Sequence, residues 1–430
     1  VIEQRPDFRT YSVEQSRTFP IAIQNRGWNA LPGVIQTTLS SQGVWTDGVC
    51  LHNSKTGDAR VIPRENNNLS IDRNRVTLTL LEALFMSNDD NLTTHTLSLQ
   101  FDTTVESIDF QKHEIQVVSE DTSRSIGYDY LVAADGGKST IRRTLVEKGC
   151  LKCETKEIPS DYRTLHLLRQ APPVVEKPTP KPSFFRRLWN WLFHRKGLPA
   201  LQLDPNKIHG WRFANNDKCI GCPIHPGLVS CAYIFDKGQD PFVDFATPDD
   251  VLAYFRKISP GSLGRLVTQA EGKALLHRPT STLMSVRCQA LHHSASRVLL
   301  LGDAAHAVSA SAGQGANSAL QDVQIFCQVL QDTKHDWNTA LPLYTDARLP
   351  DAHAVSEISD YTSPCNKWLQ MEFVLRLIGR KVLPKWMLCP MPMELLNDTT
   401  KSYTEVLQQT QWWVDKVRRA MKQQGINDQR

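Results

Sequence analysis

Two stretches of this chain run from an unbroken apolar segment straight into an aspartate beside glycine: Tyr-Leu-Val-Ala-Ala-Asp135 followed by Gly136-Gly137, and Val-Leu-Leu-Leu-Gly302-Asp303. A short apolar run bounded by turn residues reads as a strand buried on both faces, the kind found in parallel sheets covered by helices. An Asp at the carboxyl end of such a strand faces the crevice where α/β sheets bind ligands, and adjacent glycine lets a backbone approach that ligand closely. The second stretch continues through Gly313-Gln314-Gly315-Ala316-Asn317 into the helical pattern of residues 316–330. A helix start there would present unpaired N–H groups and the positive end of its dipole to electron-rich oxygens. Either motif alone also fits an ordinary tight strand-to-helix connection. Their occurrence in one chain, in this order, makes a ligand-binding α/β sheet the expected core.

The chain has 430 residues, 40% hydrophobic and 22% charged, enough for two or three globular domains. A net charge of +4, with the basic residues scattered outside one segment, gives no reason to expect nucleic acid as a partner. A small molecule is expected instead. No run approaches the roughly 18 apolar residues needed to span a bilayer, and no secretory signal pattern opens the sequence. An intracellular setting, cytoplasmic or peripheral on an organelle membrane, is the expectation. Ten cysteines are too few for a disulfide scaffold at this length. The CxxC pairs Cys150/Cys153 and Cys219/Cys222 can in principle supply four thiolates to zinc, but neither sits in a glycine-containing knuckle, so free thiols and no metal are expected. The chain begins with Val, and Val1-Ile2-Glu3 reads as the tail of a strand, so a strand and a glycine-rich turn are expected upstream.

Along the chain, Ile23, Trp28, Leu31 and Val34 are spaced for a short amphipathic helix with Asn25 as its cap. Residues 44–63 read as a hairpin about Lys55-Thr56-Gly57-Asp58, and Asp72 as the cap of a helix through Val76, Leu80 and Leu84. Residues 92–135 alternate as a meander, LTTHTLSLQF, VESIDF and HEIQVVSED, leading into the first buried strand. Prolines in 171–183 mark an insertion or linker. Strands are expected at HGWRFA and LVSCAYIF, and a helix at DDVLAYFRKI. From about 336 the pattern is helical, broken by prolines at 342, 350, 364, 384, 390 and 392.

The pair of aspartate-glycine motifs is similar to the DG and GD fingerprints of the group A flavoprotein monooxygenases. Further stretches resemble the kynurenine 3-monooxygenase branch: VIEQR at the start, IAIQNRG followed by AL, SQG at 41, LSIDR at 69, SVRC at 285, GDAAHAV with GQG and Asn317, LPDAHAVSEIS at 349 and QWWVDKV at 411. The likeness runs almost end to end and is thinnest between 150 and 280. It implies an α/β fold: a Rossmann-type FAD domain (1–45, 70–150 and 285–335, its first βα unit missing) interleaved with an antiparallel-sheet substrate domain (46–69 and 151–284), then C-terminal helices (336–430). It also implies FAD as cofactor, NADPH as reductant, and O₂ as the source of an oxygen transferred to an aromatic or olefinic small molecule. The flavin carries that chemistry, so no catalytic side chain is expected.

Carried across by position, the resemblance implies that Glu3 meets the adenosine ribose, that Arg73 pairs with phosphate, and that Ala22, Val105, Asp135 and Thr140 contact FAD. It implies further that Gly302 and Asp303 meet the ribityl chain, while Gly315, Ala316 and Asn317 face the isoalloxazine. The Arg73 guanidinium suits a phosphate, although pairing with a neighbouring acid also accounts for it. His306 is expected to pack and hydrogen-bond within its motif. Where the branch surrounds an amino-acid substrate with Arg, Tyr and Asn, this chain has Val49, Arg64 and Thr362. Ala310-Ser311-Ala312 replaces the Pro-Phe-Phe before its GQG. Loss of the carboxylate-pairing Arg removes a charge-assisted contact, and Arg64 can supply a substitute charge from a different strand.

Residues 183–196, SFFRRLWNWLFHRK, are basic and aromatic without an acid and form part of the insertion 171–197. As a helix they would be about 20 Å long, too short to span but suited to a membrane surface; a capping helix or a disordered insertion is the other reading. Trp189-Asn190-Trp191 imitates a flavin-halogenase signature, but Phe193-His194 stands where Ile-Pro should follow. The functional expectation is therefore an FAD-dependent monooxygenase hydroxylating an aromatic, kynurenine-like molecule. The alternatives are a related epoxidase, prenyl reductase or halogenase, or a non-catalytic relative.

Overall fold

The structure, a computed structural model, describes residues 1–10, 20–89, 97–120, 122–169, 202–225, 227–384, 387–398 and 401–423. Its strands in chain order are β1 (Pro20–Ile23), β2 (Val44–His52), β3 (Ala59–Asp72), β4 (Thr104–Asp109), β5 (Glu114–Ser119), β6 (Thr122–Gly127) and β7 (Leu131–Ala133). They continue as β8 (Cys153–Leu168), β9 (Ile208–Arg212), β10 (Lys218–His225), β11 (Leu228–Asp236), β12 (Ser281–Cys288), β13 (His292–His293) and β14 (Val298–Leu300). The basic-aromatic segment 183–196 lies outside the described residues. No described helix is long and apolar enough to cross a membrane.

The two buried strands meet as expected. β7 and β14 run parallel, with Leu131 opposite Val298 and Ala133 opposite Leu300, so both aspartates leave the same sheet edge. A core of Ile141, Leu145, Val298, Leu299, Leu300, Phe326 and Tyr344 joins this sheet to its helices. The meander is β4-β5-β6. Its anticipated first strand, LTTHTLSLQF, is a strand nowhere in its described part, residues 97–101, where Gln100 forms an isolated parallel bridge to Ile2. That bridge makes Val1-Ile2-Glu3 strand-like.

The second sheet has eight strands in the order β1-β3-β2-β9-β10-β11-β8-β12. The β2-β3 hairpin closes around Lys55-Thr56-Gly57-Asp58, with His52 opposite Ala59. One face of β8, β10 and β11 packs Leu165, Leu167, Cys219, Cys231 and Tyr233 against the helices Pro248–Ile258, Leu263–Leu266 and Gln269–His277. β10 also packs against β3 and β1, although β9 and β2 separate it from them in the hydrogen-bonded order. The sheet is therefore strongly coiled, beyond the ordinary twist between neighbours, and its other face turns inward. Two of its strands, β8 and β10, carry little sequence signal. The outer half of β8 is polar, and β10 contains Gly221 and Pro223, residues that normally argue against a central strand. At the far end of β8 the Leu203 N–H donates to the Arg169 carbonyl (3.1 Å), closing the base of the insertion 171–197.

Ile23 belongs to β1 and not to the following helix. The helix Asn25–Asn29 has Gln24 at its N-cap position, one residue before the expected Asn25 and without a side-chain capping bond, and after Pro32 a separate helix spans Gly33–Gln42. Ile23, Leu31, Ile35, Leu39, Leu69 and Ile71 form the core here. Asp72 caps the helix Arg73–Asp89 as anticipated, its Oδ1 accepting from the Asn74 N–H at 2.7 Å. In the tail, Pro342 and Pro350 do not break the chain: one helix runs Trp337–Tyr361 through both. Its buried row of Leu341, Tyr344, Arg348, Val355 and Ile358 supplies packing that outweighs the missing hydrogen bonds.

Gly27 lets this first helix touch the Gly315–Asp332 helix, because a Cβ there would lie 2.4 Å from Asn317 Oδ1. Gly27→Ala should therefore lower stability by about 1–3 kcal/mol in urea unfolding despite the better helix propensity of Ala. An unchanged midpoint would refute that close approach.

Half-buried His52 on β2 and buried His209 on β9 form a pair. His209 Nε2 lies 3.0 Å from the Asp204 carbonyl and must donate to it, so its Nδ1 accepts from His52 Nε2 at 2.9 Å. Burial, aided by the other imidazole, depresses His52 to about 3, and burial depresses His209 to about 4. Because the unfolded chain binds these protons more readily, the stability they contribute is complete above about pH 6.5 and lost as pH falls toward 4. The urea midpoint should fall between pH 7.5 and 5, and His209→Gln should flatten that fall; an equal slope in the variant would exclude this pair as its source.

Candidate functional site

The first motif is built around the start of the helix Thr140–Glu147. Asp135 accepts from the Thr140 N–H (2.8 Å) and the Ile141 N–H (3.3 Å), and the Ser139 hydroxyl accepts from the Arg142 N–H (3.0 Å). The carboxylate thus sits on a helix N-terminus while remaining exposed to the crevice. The Thr140 N–H is already taken, so this residue has its side chain left to offer a ligand. Buried Arg142 reaches from here to the second motif, donating to the Gly137 carbonyl (2.5 Å) and to the Ala304 carbonyl (2.9 Å).

In the second motif, Gly302 has φ 57° and ψ −136°, a conformation essentially confined to glycine. Its N–H donates to Asp322 Oδ2 at 2.9 Å, and His306 Nε2 lies 2.6 Å from the same oxygen. Arg348 Nε holds Oδ1 at 2.5 Å and spends its other nitrogens on Ser318, Gln321 and Asp351. Burial alone would raise the Asp322 carboxyl, but His306 and Arg348 outweigh it and hold the group below its ordinary value. His306 is therefore a packing and hydrogen-bonding residue, as expected. The outcome is a fixed peptide at Gly302 that leaves Asp303 exposed at the start of the short helix Asp303–His306.

Asn317 sets the third element. Its Oδ1 accepts from the Gln24 N–H (2.8 Å), and its Nδ2 donates to the carbonyls of Ala22 (3.0 Å) and Gly313 (3.1 Å). Both the Asn317 side chain and the Ala22 carbonyl are thereby used within the fold, and what they can present to a ligand is backbone or surface. Gln314 donates to Gln24 Oε1 (2.7 Å) and accepts from the Tyr403 hydroxyl (3.0 Å). The helix Gly315–Asp332 begins here, with the first-turn N–H groups that a helix cannot satisfy internally. A side chain at Gly315 would stand 3.8 Å from Val308 Cγ2 and 4.0 Å from Asp303 Oδ1, in the space those groups share. An exposed carboxylate, a bare glycine and helix N–H donors without a partner among the described residues thus converge at one sheet edge. That donor set fits the hydroxylated chain and carbonyl-bearing ring of a flavin.

Glu3, in the chain's opening segment, lies close enough to Arg73 to feel its charge. Burial raises the Glu3 carboxyl, yet hydrogen bonds and charge from Arg5, joined by the charge of Arg73, hold it below its usual value. Glu3 accepts from the Arg5 N–H (2.9 Å) and from Arg5 Nε (3.0 Å), so Arg5 competes for the carboxylate assigned to a ribose. Arg73 is exposed at its helix start, and Val105 packs partly buried against the same core as Ile2.

Of the positions read as substrate contacts, Val49 is half-buried on β2 between Ile62 and Ile208. Arg64 lies where β3 bulges away from β2, close enough for its charge to act on the buried Cys222 thiol. Thr362 is buried and its hydroxyl donates to the Ile358 carbonyl (2.5 Å), leaving the helix end and not the pocket as its partner. Sequence reasoning missed Arg142, Asp322, Arg348, Gln24 and Gln314. Arg142 follows the DG motif by a few residues and Asp322 falls on the buried stripe of its helix, but their partners are too distant in sequence to pair by pattern.

A model of the FAD binding domain family matches residues 267–359, which include the second motif, the glycine-bounded helix start and Arg348. Kynurenine 3-monooxygenase of Sus scrofa is 27% identical over 373 residues, covering 84% of this chain and 69% of that protein. Its counterpart from Flavobacterium psychrophilum is 25% identical over 437 residues, covering 95% and 84%. Among solved structures, 2-methyl-3-hydroxypyridine-5-carboxylic acid oxygenase superposes with a TM-score of 0.62 at 13% identity, over 92% of this chain and 87% of that one. A tetracycline destructase gives 0.57 at 14%, over 93% and 91%.

Arg348→Met should strip Asp322 of its buried partner and cost about 3–5 kcal/mol in chemical unfolding. A loss below 1 kcal/mol would show that the aspartate does not depend on it. In sequence the chain resembles kynurenine 3-monooxygenase, and its fold resembles that of 2-methyl-3-hydroxypyridine-5-carboxylic acid oxygenase.

Proposed function

We propose that this chain binds FAD across the edge of the β7-β14 sheet and hydroxylates an aromatic small molecule, with NADPH as reductant and O₂ as oxidant. The observation that carries the reading is the convergence of Asp303, bare Gly315 and the first-turn N–H groups of the Gly315–Asp332 helix. When bound, the flavin supplies the redox and oxygen-transfer chemistry. The protein's own residues position and shield. Asp303 accepts from ribityl hydroxyls, and the N–H groups of Gly315, Ala316 and Asn317 donate toward a ring carbonyl, favouring negative charge there. Asp135 and Thr140 line the same crevice, Glu3 meets the ribose and Arg73 a phosphate. The inner face of the eight-stranded sheet, with Val49 and Arg64, encloses the substrate and excludes water. Without the arginine that its relatives' branch places at Val49, an α-amino-acid carboxylate has Arg64 as its cationic partner.

The purified protein should carry flavin absorbance, and aromatic substrates should accelerate NADPH oxidation with a product heavier by one oxygen atom. Asp303→Ala should reduce flavin occupancy at least tenfold while the fold persists by circular dichroism. Full flavin retention in that variant, or peroxide as the sole product with every aromatic tried, would overturn the proposal.

A further inference from the structure

Cys153 opens β8 and Cys288 closes β12, and the two stand directly opposite each other in the antiparallel register. The Gln289 N–H donates to the Lys152 carbonyl (2.9 Å), so the neighbouring pair is hydrogen-bonded and the cysteines occupy a non-hydrogen-bonded position. Side chains come closest there. The Cα atoms of such a pair lie about 4.5 Å apart, within the roughly 4.4–6.8 Å that a disulfide spans. Both residues are free thiols, and their sulfurs lie 3.0 Å apart with Cys288 donating to Cys153. Cys288 is buried while Cys153 is half-buried, so a small solute meets the Cys153 sulfur first. The hydrogen bond from Cys288, joined by the charge of Arg142, outweighs burial and holds the Cys153 thiol down to about 7. The same hydrogen bond, with burial, pushes Cys288 up. A partly accessible thiolate beside a guanidinium, with a second thiol in contact, is the setting of a reactive cysteine and its resolving partner.

We propose that Cys153 and Cys288 are a peroxide-reactive dithiol that closes reversibly into a disulfide, with Cys153 as the attacking sulfur and Cys288 as the resolving one. The oxidant is hydrogen peroxide. The Cys153 thiolate attacks one peroxide oxygen and breaks the O–O bond, giving a sulfenic acid and a hydroxide that takes a proton to become water. The Cys288 sulfur then attacks the Cys153 sulfur, forming the S–S bond and displacing the hydroxyl, which leaves with the Cys288 proton as a second water. Two thiols lose two electrons in all, and one peroxide is reduced to two waters. The bond ties together the two ends of the segment that carries β8 to β12, across a separation of 135 residues. The chain enters this segment from the helix Thr140–Glu147 and leaves it for β13 and β14, so the pair stands where the eight-stranded sheet joins the β7-β14 sheet.

The test is peptide mapping by mass spectrometry of the whole reduced protein after brief exposure to hydrogen peroxide, with remaining thiols blocked by iodoacetamide. A Cys153–Cys288 cross-linked peptide should appear before the exposed Cys327 and Cys389 are oxidised, and dithiothreitol should restore both thiols. Its rate of formation should rise with pH through about 7, following the Cys153 thiolate. Cys288→Ser should leave Cys153 as a sulfenic acid that dimedone labels, whereas Cys153→Ser should give neither label nor cross-link. If either variant fails to fold, the wild-type map alone decides. Oxidation of Cys327 or Cys389 ahead of the pair, or a disulfide from Cys153 to Cys150 in place of Cys288, would overturn the proposal.

Discussion

Asp322 is the group on which the site depends. A carboxylate with no exposure to water must be fully paired to remain charged, and here a guanidinium, an imidazole and a main-chain N–H share its two oxygens. Each partner belongs to a different element: Arg348 to the first tail helix, His306 to the short helix after the second motif, and Gly302 to the turn itself. The aspartate therefore determines which way the Gly302 peptide faces, and so where Asp303 emerges. Arg142 does the analogous work between the two motifs by bonding main-chain carbonyls on both. Asp135 and Asp303 are exposed at a surface whose rigidity comes from charges buried behind it.

The tail belongs to the same arrangement. Tyr403 donates to Gln314, Gln314 donates to Gln24, and the Gln24 main chain donates to Asn317. Arg26, buried beside these groups, stacks its guanidinium on the Tyr403 ring at 4.0 Å and donates to the Lys401 carbonyl. This polar chain runs from β1 through the glycine-bounded loop into the last helix. The C-terminal helices thus back the candidate site, and the position of the Gly315–Asp332 helix start is fixed from both ends of the sequence.

What could be read beforehand follows from which interactions are local. The two aspartate strands, the hairpin, the Asp72 cap and the long helix after Gly315 are specified by residues adjacent in sequence, and periodicity or capping chemistry exposes them. β8 and β10 were illegible because their identity as strands is decided by neighbours: Pro223 and Gly221 are tolerated only where a coiled sheet and packed helices demand them. Pro342 and Pro350 misled for the mirror reason, since the buried face of their helix overrides a local breaker. Within the candidate site, the aspartate and glycine positions stand out in the sequence, whereas the hydrogen bonds that occupy the Thr140 N–H, the Ala22 carbonyl and the Asn317 side chain cross the fold and leave no local pattern.

The hydrogen bond from Leu203 to the Arg169 carbonyl has a bearing on how such chains diversify. It joins the two ends of the insertion at the rim of the coiled sheet, so the strands on either side keep their register whatever the length of chain between them. Closing a longer loop costs only logarithmically more. This doorway can therefore admit or discard a whole appendage without disturbing a single pairing in the sheet.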